Sequence, residues 1–354
     1  MNKEQHSLRG LAILMIILLH SGVLYRDNYH FIYDWITSHF DTETGVELLF
    51  VLAGFFLTKS LLKIQKNNGI KTALNETGLM FKKKVLRLLP ATFTWTLIPL
   101  VLSIVTHDGV WLTPGIMFEK FISSFIFIRN FTESNHPSAF GYMWAVALEM
   151  QFFIAFTLVF FLFGRRKTFL LSCAIIFLNT FYRIPNNENM FMFRFDSLLG
   201  GYVTYIIFDK IRSTKSDLIK YNEFTNIFIA TVLIVSLATC ARYFENVRPF
   251  MFSAATFISI AIVLIASLEL NFFSFMESRV LNYVADRSYS LYCCHIPSWF
   301  IVISIYNSFH LDQSYMWIVQ ILIMFFCTEL TYRYIENIAQ HFTRRENMLS
   351  NKKH

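Results

Sequence analysis

Runs of roughly twenty predominantly apolar residues recur along this chain, and that length is what a helix needs to cross a bilayer. Hydrocarbon offers no water to satisfy backbone N–H and C=O groups, so such runs must close their hydrogen bonds internally as helices. Candidate spans fall at about 8–25, 43–63, 89–106, 141–163, 168–183, 192–208, 224–241, 250–268, 288–308 and 314–334. The apolar share, 55% with 40 phenylalanines, exceeds what one soluble core can absorb. The expected fold class is therefore all-α, a polytopic membrane helix bundle of about ten spans. Lys3 and Arg9 precede the first run as in a secretory leader, but no A-x-A-like site follows, so the run reads as a retained span.

Loop charge sets the orientation, because Lys and Arg in short loops concentrate on the cytoplasmic side. "KIQKNNGIK" with "FKKKVLR", "GRRK", "DKIRSTKSDLIK" and the tail "TRRENMLSNKKH" all fall on one side, and the alternate loops are acidic, mixed or short. Both termini are expected in the cytoplasm. The connection at 269–287 departs from the pattern, balancing Glu269, Glu277 and Asp286 against Arg279 and Arg287. The piece "GIMFEKFISSFIFIRNF" is too short to cross and reads as an interfacial or re-entrant helix. With no repeat or low-complexity tract, residues 1–340 read as a single transmembrane domain, followed by a short basic cytoplasmic tail at 341–354. The five cysteines lie in or beside apolar runs without metal-ligand or disulfide spacing, so they read as packing residues and no metal is expected. The lipid bilayer accounts for the basic loops, and no nucleic-acid partner is expected.

Ionisable residues inside apolar runs are costly and mark function by default. Arg9 and His20 bracket the first run eleven positions apart, which puts them on one helix face with about 16 Å between them along the axis. His20 suits a general base, because its proton exchange falls near neutral pH. The alternatives are a positive flank for Arg9 and a helix-to-helix hydrogen bond for His20. Glu47, a turn inside the second span, either orients His20, pairs with a cation or lies at the outer rim. Glu149 lies deep in "GYMWAVALEMQFFIAF" and either pairs with a cation or joins a polar centre. Arg194 and Asp196 head "FRFDSLLGGY" and read as an internal ion pair, followed by Gly200 and Gly201, which permit close helix approach. His295 in "RSYSLYCCHIPSW" precedes Pro297; it either meets an acceptor or hydrogen-bonds a carbonyl that the proline frees. On the inner face Lys84 and Arg87 are one turn apart and able to hold one anionic group, while Lys82 and Lys83 are explained by anionic lipid.

Taken in order, the Arg9-to-His20 spacing and the blocks "GVELLFVLAGFFL", "KVLRLLPATF", "MWAVALEMQFF", "FRFDSLLGGY", "SYSLYCCHIP" and "TYRYIENI" resemble the acyltransferase-3 family of integral-membrane acyltransferases. The likeness runs from about Ser7 to Ile338. It implies a multi-pass protein of the bacterial inner membrane that moves an acyl group, most often acetyl, from cytoplasmic acyl-CoA to a hydroxyl of a surface glycan or lipid-linked saccharide. Arg9, Lys84 and Arg87 would hold the coenzyme, and His20 would act as base or acyl carrier. Glu149 would support it, with Glu47, Asp196 and His295 serving the acceptor or the polar centre. Lys84 stands where the family often has Arg, so a point charge replaces a planar fork. Asn337 and Ile338 follow Glu336 where the family commonly has proline. Many relatives add a periplasmic hydrolase-like domain; without one, this chain is expected to finish transfer alone, use a polysaccharide-synthesis partner or take a smaller acceptor. The rival reading is a transporter of a glycan precursor or small anion, since intramembrane charges also line translocation paths.

Overall fold

The structure, a computed structural model, describes residues 1–24, 30–67, 70–106, 109–132, 141–182, 194–214, 222–244 and 248–338. The basic tail at 341–354 lies outside them. Twelve α-helices make up the described chain, and no strand occurs among the described residues. They are α1 (Lys3–His20), α2 (His30–His39), α3 (Gly45–Asn67), α4 (Ile70–Val105), α5 (Pro114–Phe125), α6 (Trp144–Tyr182), α7 (Asp196–Ser213), α8 (Glu223–Tyr243), α9 (Arg248–Ser267), α10 (Arg279–Asp286), α11 (Ser288–Phe309) and α12 (Met316–Leu330). Eight of the described segments are long and apolar enough to cross a membrane. The all-α polytopic expectation holds.

The difference between eight and ten has a local cause. The 39-residue α6 is two helices joined at Gly164, whose φ of 70° and ψ of 171° are not helical. The break falls between the spans expected at 141–163 and 168–183. The run at 192–208 is carried by α7, whose polar residues from Asp196 to Arg212 make it the less apolar helix. The basic stretch before the third span is a correction: it is not a loop. Lys82, Lys83, Lys84 and Arg87 lie within α4, which runs on through Pro90 and Pro99.

The chain packs as two compact units. The first takes residues 1–19, 30–67 and 148–286. Its core joins Leu8 and Ala12 of α1, Leu48, Val51 and Phe55 of α3, Leu237 of α8, Ile262 and Val263 of α9, and Phe273. Helices α3 and α7 cross at glycines: a Cβ on Gly201 would lie 2.6 Å from the Phe55 nitrogen and 2.8 Å from Gly54 Cα. Such backbone contact is available only where side chains are absent, the usual device for helix association in lipid. The start of α1 is fastened by polar bonds. Asn2 Nδ2 donates to the Ala266 carbonyl at 2.7 Å, Gln5 Nε2 to Ser267 Oγ at 2.8 Å, and the Phe273 N–H to Glu4 Oε1 at 3.1 Å.

The second unit takes residues 20–29, 68–147 and 287–354. Helix α11 packs on α12 and α4. Trp95 Nε1 of α4 donates to Thr331 Oγ1 at 2.9 Å, and Tyr289 Oη of α11 donates to the Leu88 carbonyl at 2.9 Å. Helix α5 wears its polarity inside out: Phe118, Ile122 and Phe125 are exposed, while Lys120, Ser123 and Ser124 are buried. Phe121 and Phe125 meet Phe93 edge-on, 5.7 and 6.1 Å between ring centres. Phe93 precedes Val105 by twelve residues, about 18 Å of helix, so α5 runs back alongside α4.

Candidate active site

Two histidines from distant parts of the sequence come together in the second unit. Helix α1 ends at His20 and tightens into a 3₁₀ turn at Ser21–Val23, so the imidazole sits at a helix terminus. His295 lies in α11, fully buried. The ring centres are 5.3 Å apart and the planes inclined by 42°.

The environment of His295 follows from one proline. In an α-helix the N–H of residue 297 would bond to the carbonyl of Cys293, and Pro297 has no N–H to give. The freed carbonyl is taken by the Tyr142 hydroxyl. Tyr292 returns the bond, its hydroxyl donating to the Tyr142 carbonyl at 2.5 Å. This exchange clips Gly141–Met143 to α11 and lays the Tyr142 ring 4.8 Å from the His295 ring. Of the two roles expected for His295, the bond to the proline-freed carbonyl is therefore Tyr142's. His295 Nδ1 instead meets the Tyr292 carbonyl at 2.8 Å. A carbonyl only accepts, so Nδ1 carries a proton and, in the neutral imidazole, Nε2 holds the lone pair. That Nε2 is buried and has no hydrogen-bond partner among the described residues. One turn on, Trp299 stands at 90° to the imidazole with 5.7 Å between centres, and its buried Nε1–H is also unmatched among the described residues.

The other expected residues distribute as follows. Arg9 lies half-buried in α1 and belongs to the first unit. Lys84 is half-buried and Arg87 exposed on α4 in the second unit. Glu149 is half-buried on α6, in the first unit. Glu47 is fully buried in the first unit and pairs with a cation, the second of its expected alternatives. Arg194 Nε donates to Glu47 Oε1 at 2.7 Å, and Arg194 Nη1 reaches Glu43 Oε1 at 2.8 Å. The guanidinium also lies 4.0 Å from the centre of the Phe252 ring. Asp196, buried beside this cluster, receives a long bond from Thr256 Oγ1 at 3.5 Å. Among the described residues no group of His, Cys, Asp or Glu is placed to hold a metal ion.

Tyr142, Trp299 and Glu43 were not expected from the sequence. The signal for Tyr142 was present in Pro297, which guarantees one orphaned carbonyl four residues earlier but does not say which donor covers it.

Comparison with known proteins places these groups in a family context. The model of the acyltransferase domain matches residues 6–330. A peptidoglycan O-acetyltransferase of Listeria monocytogenes is 23% identical over 93% of this chain and 54% of its own length. An O-acetyltransferase of Staphylococcus aureus is 25% identical over 93% of this chain and 55% of its own length, and a putative O-acetyltransferase of the same species is 26% identical over 93% and 56%. The chain thus spans about half the length of the curated relatives it matches. No solved structure matches it.

Proposed function

This chain belongs to the family of acyltransferase domains, and from that premise we propose that it moves an acyl group, acetyl by preference, from cytoplasmic acyl-CoA to a hydroxyl of a cell-surface glycan. The observation that carries the reading is the meeting of His20 and His295 inside a membrane helix bundle, 5.3 Å between ring centres. Attack of a hydroxyl on a thioester gains about 10² to 10⁴ in rate from a positioned base, and imidazole is the side chain suited to that work near neutral pH. His20 acts as that base or carries the acyl group between donor and acceptor. Arg9, Lys84 and Arg87 belong to the coenzyme, whose phosphates call for cations at the inner face. Glu149, Glu47 and Asp196 support the polar interior. The protein works in the bacterial inner membrane, and peptidoglycan is the preferred acceptor because one relative carries that substrate in its name.

The test is turnover of labelled acetyl-CoA by protein purified into lipid nanodiscs, with glycan-strand fragments as acceptor. Release of CoA and labelled glycan, both lost in a correctly folded His20→Ala variant, supports transfer. Arg9→Ala is expected to weaken acetyl-CoA binding about tenfold, the worth of one charge-assisted contact. Absence of turnover with any acyl-CoA, together with movement of glycan across reconstituted vesicles, would favour the transporter instead.

A further inference from the structure

Resting on the transfer reaction above, we propose that His295, through Nε2, is the group that takes the proton from the acceptor hydroxyl, and that Trp299 Nε1–H holds that hydroxyl's oxygen. In the neutral imidazole the Tyr292 carbonyl holds the proton on Nδ1, which leaves Nε2 as the proton acceptor. A buried acceptor without a partner is costly to keep, and the interior of a folded chain rarely leaves one. Here two unmatched polar atoms of opposite kind lie one helical turn apart on α11: an acceptor at His295 Nε2 and a donor at Trp299 Nε1. An alcohol is the simplest group that satisfies both, donating its proton to one and accepting at its oxygen from the other.

The reaction balances as follows. The alcohol oxygen forms a bond to the carbonyl carbon of an acyl-CoA thioester while its proton passes to His295 Nε2. When the tetrahedral adduct collapses, the carbon–sulfur bond breaks and the imidazolium returns the proton to the departing thiolate, giving free CoA. The products are an ester and a thiol, with neutral imidazole restored. The bond from Nδ1 to the Tyr292 carbonyl persists throughout and steadies the imidazolium while it exists. The base role offered above to His20 thereby passes to His295, and His20, across from the same ring, is left to the donor side of the reaction.

Two substitutions separate this role from a structural one. His295→Asn keeps a side-chain N–H near the position of Nδ1, able to bond to the Tyr292 carbonyl, and deletes Nε2. Trp299→Phe keeps the ring face and deletes the N–H. Full-length protein in nanodiscs would be given acetyl-CoA with either glycan-strand fragments or hydroxylamine, a nucleophile that attacks thioesters without a base. His295→Asn is expected to lose about 10² to 10⁴ in kcat toward glycan, to keep its hydroxylamine reaction and to keep its KM for acetyl-CoA. Trp299→Phe is expected to raise KM for the glycan about tenfold at unchanged KM for acetyl-CoA. Retention of a tenth or more of glycan transfer by His295→Asn would overturn the assignment. Equal loss of the hydroxylamine reaction would also overturn it, since the residue would then serve the donor or the fold. If the native protein acetylates neither nucleophile, the transfer reading itself fails and the assignment falls with it, an outcome distinct from a failure confined to the variants.

Discussion

Gly200 and Gly201 are adjacent, yet alanine at the two positions should behave in opposite ways. A Cβ on Gly201 would stand 2.6 Å from the Phe55 nitrogen and 2.8 Å from Gly54 Cα, with the Val51 carbonyl nearer still. These are backbone atoms of α3, which cannot rotate aside, so reaching an ordinary 3.4 Å contact requires α3 and α7 to separate by at least about 0.8 Å. Arg194, two residues before α7 and seven before Gly201, bonds Glu47 of α3, and a 2.7 Å charge-assisted bond stretched by that amount is largely forfeited. Overpacking costs about 1–3 kcal/mol and the weakened ion pair adds to it, so Gly201→Ala is expected to lose about 2–4 kcal/mol. Across from Gly200 the nearest atom is Ile260 Cδ1 at 3.0 Å, the end of a side chain that can change rotamer. There alanine recovers about 1 kcal/mol of helix propensity against a small repacking cost, and Gly200→Ala should be neutral to slightly stabilising. Unfolding in mixed micelles with increasing sodium dodecyl sulfate, followed by circular dichroism, compares the two directly. Equal midpoints, or a Gly201→Ala protein as stable as the parent, would refute the crossing geometry.

Two further expectations concern polar bonds inside the bundle. Glu47→Ala removes a fully buried carboxylate from Arg194 and should destabilise the protein by about 3–5 kcal/mol, while the double replacement Glu47→Leu with Arg194→Met should recover most of that loss; the same unfolding assay reads both. Tyr142→Phe strips the hydroxyl from the Cys293 carbonyl and should cost about 1–3 kcal/mol, but in a Pro297→Ala background, where residue 297 again has an N–H, the cost should fall below about 0.5 kcal/mol. A double-mutant cycle in which the two effects simply add would show that the proline is not what the tyrosine compensates.

The spans were readable because bilayer thickness imposes one length on every crossing, and α8 and α11 begin and end within a residue or two of their expected limits. The N-terminal extension of α4 was missed for the converse reason. Outside hydrocarbon a helix needs no apolar run, and "FKKKVLR" reads as loop when judged by hydropathy although lysine, arginine and leucine are good helix formers. Charges in the interior were legible as important but not as partners. Arg194 finds Glu47 and Glu43 from 147 and 151 positions away, and no spacing rule reaches so far. The same holds for His20 and His295, each marked by its position in an apolar run and joined only by tertiary packing.

The break at Gly164 has a further consequence. A Cβ there would meet nothing within 4 Å among the described residues, so crowding by them is not why glycine stands at that position. What excludes other residues is chirality alone: φ of 70° with ψ of 171° is strained for an L-amino acid, yet its mirror image is ordinary extended backbone. A D-alanine would rest there without strain where L-alanine would not, so the two halves of α6 are divided by handedness rather than by volume.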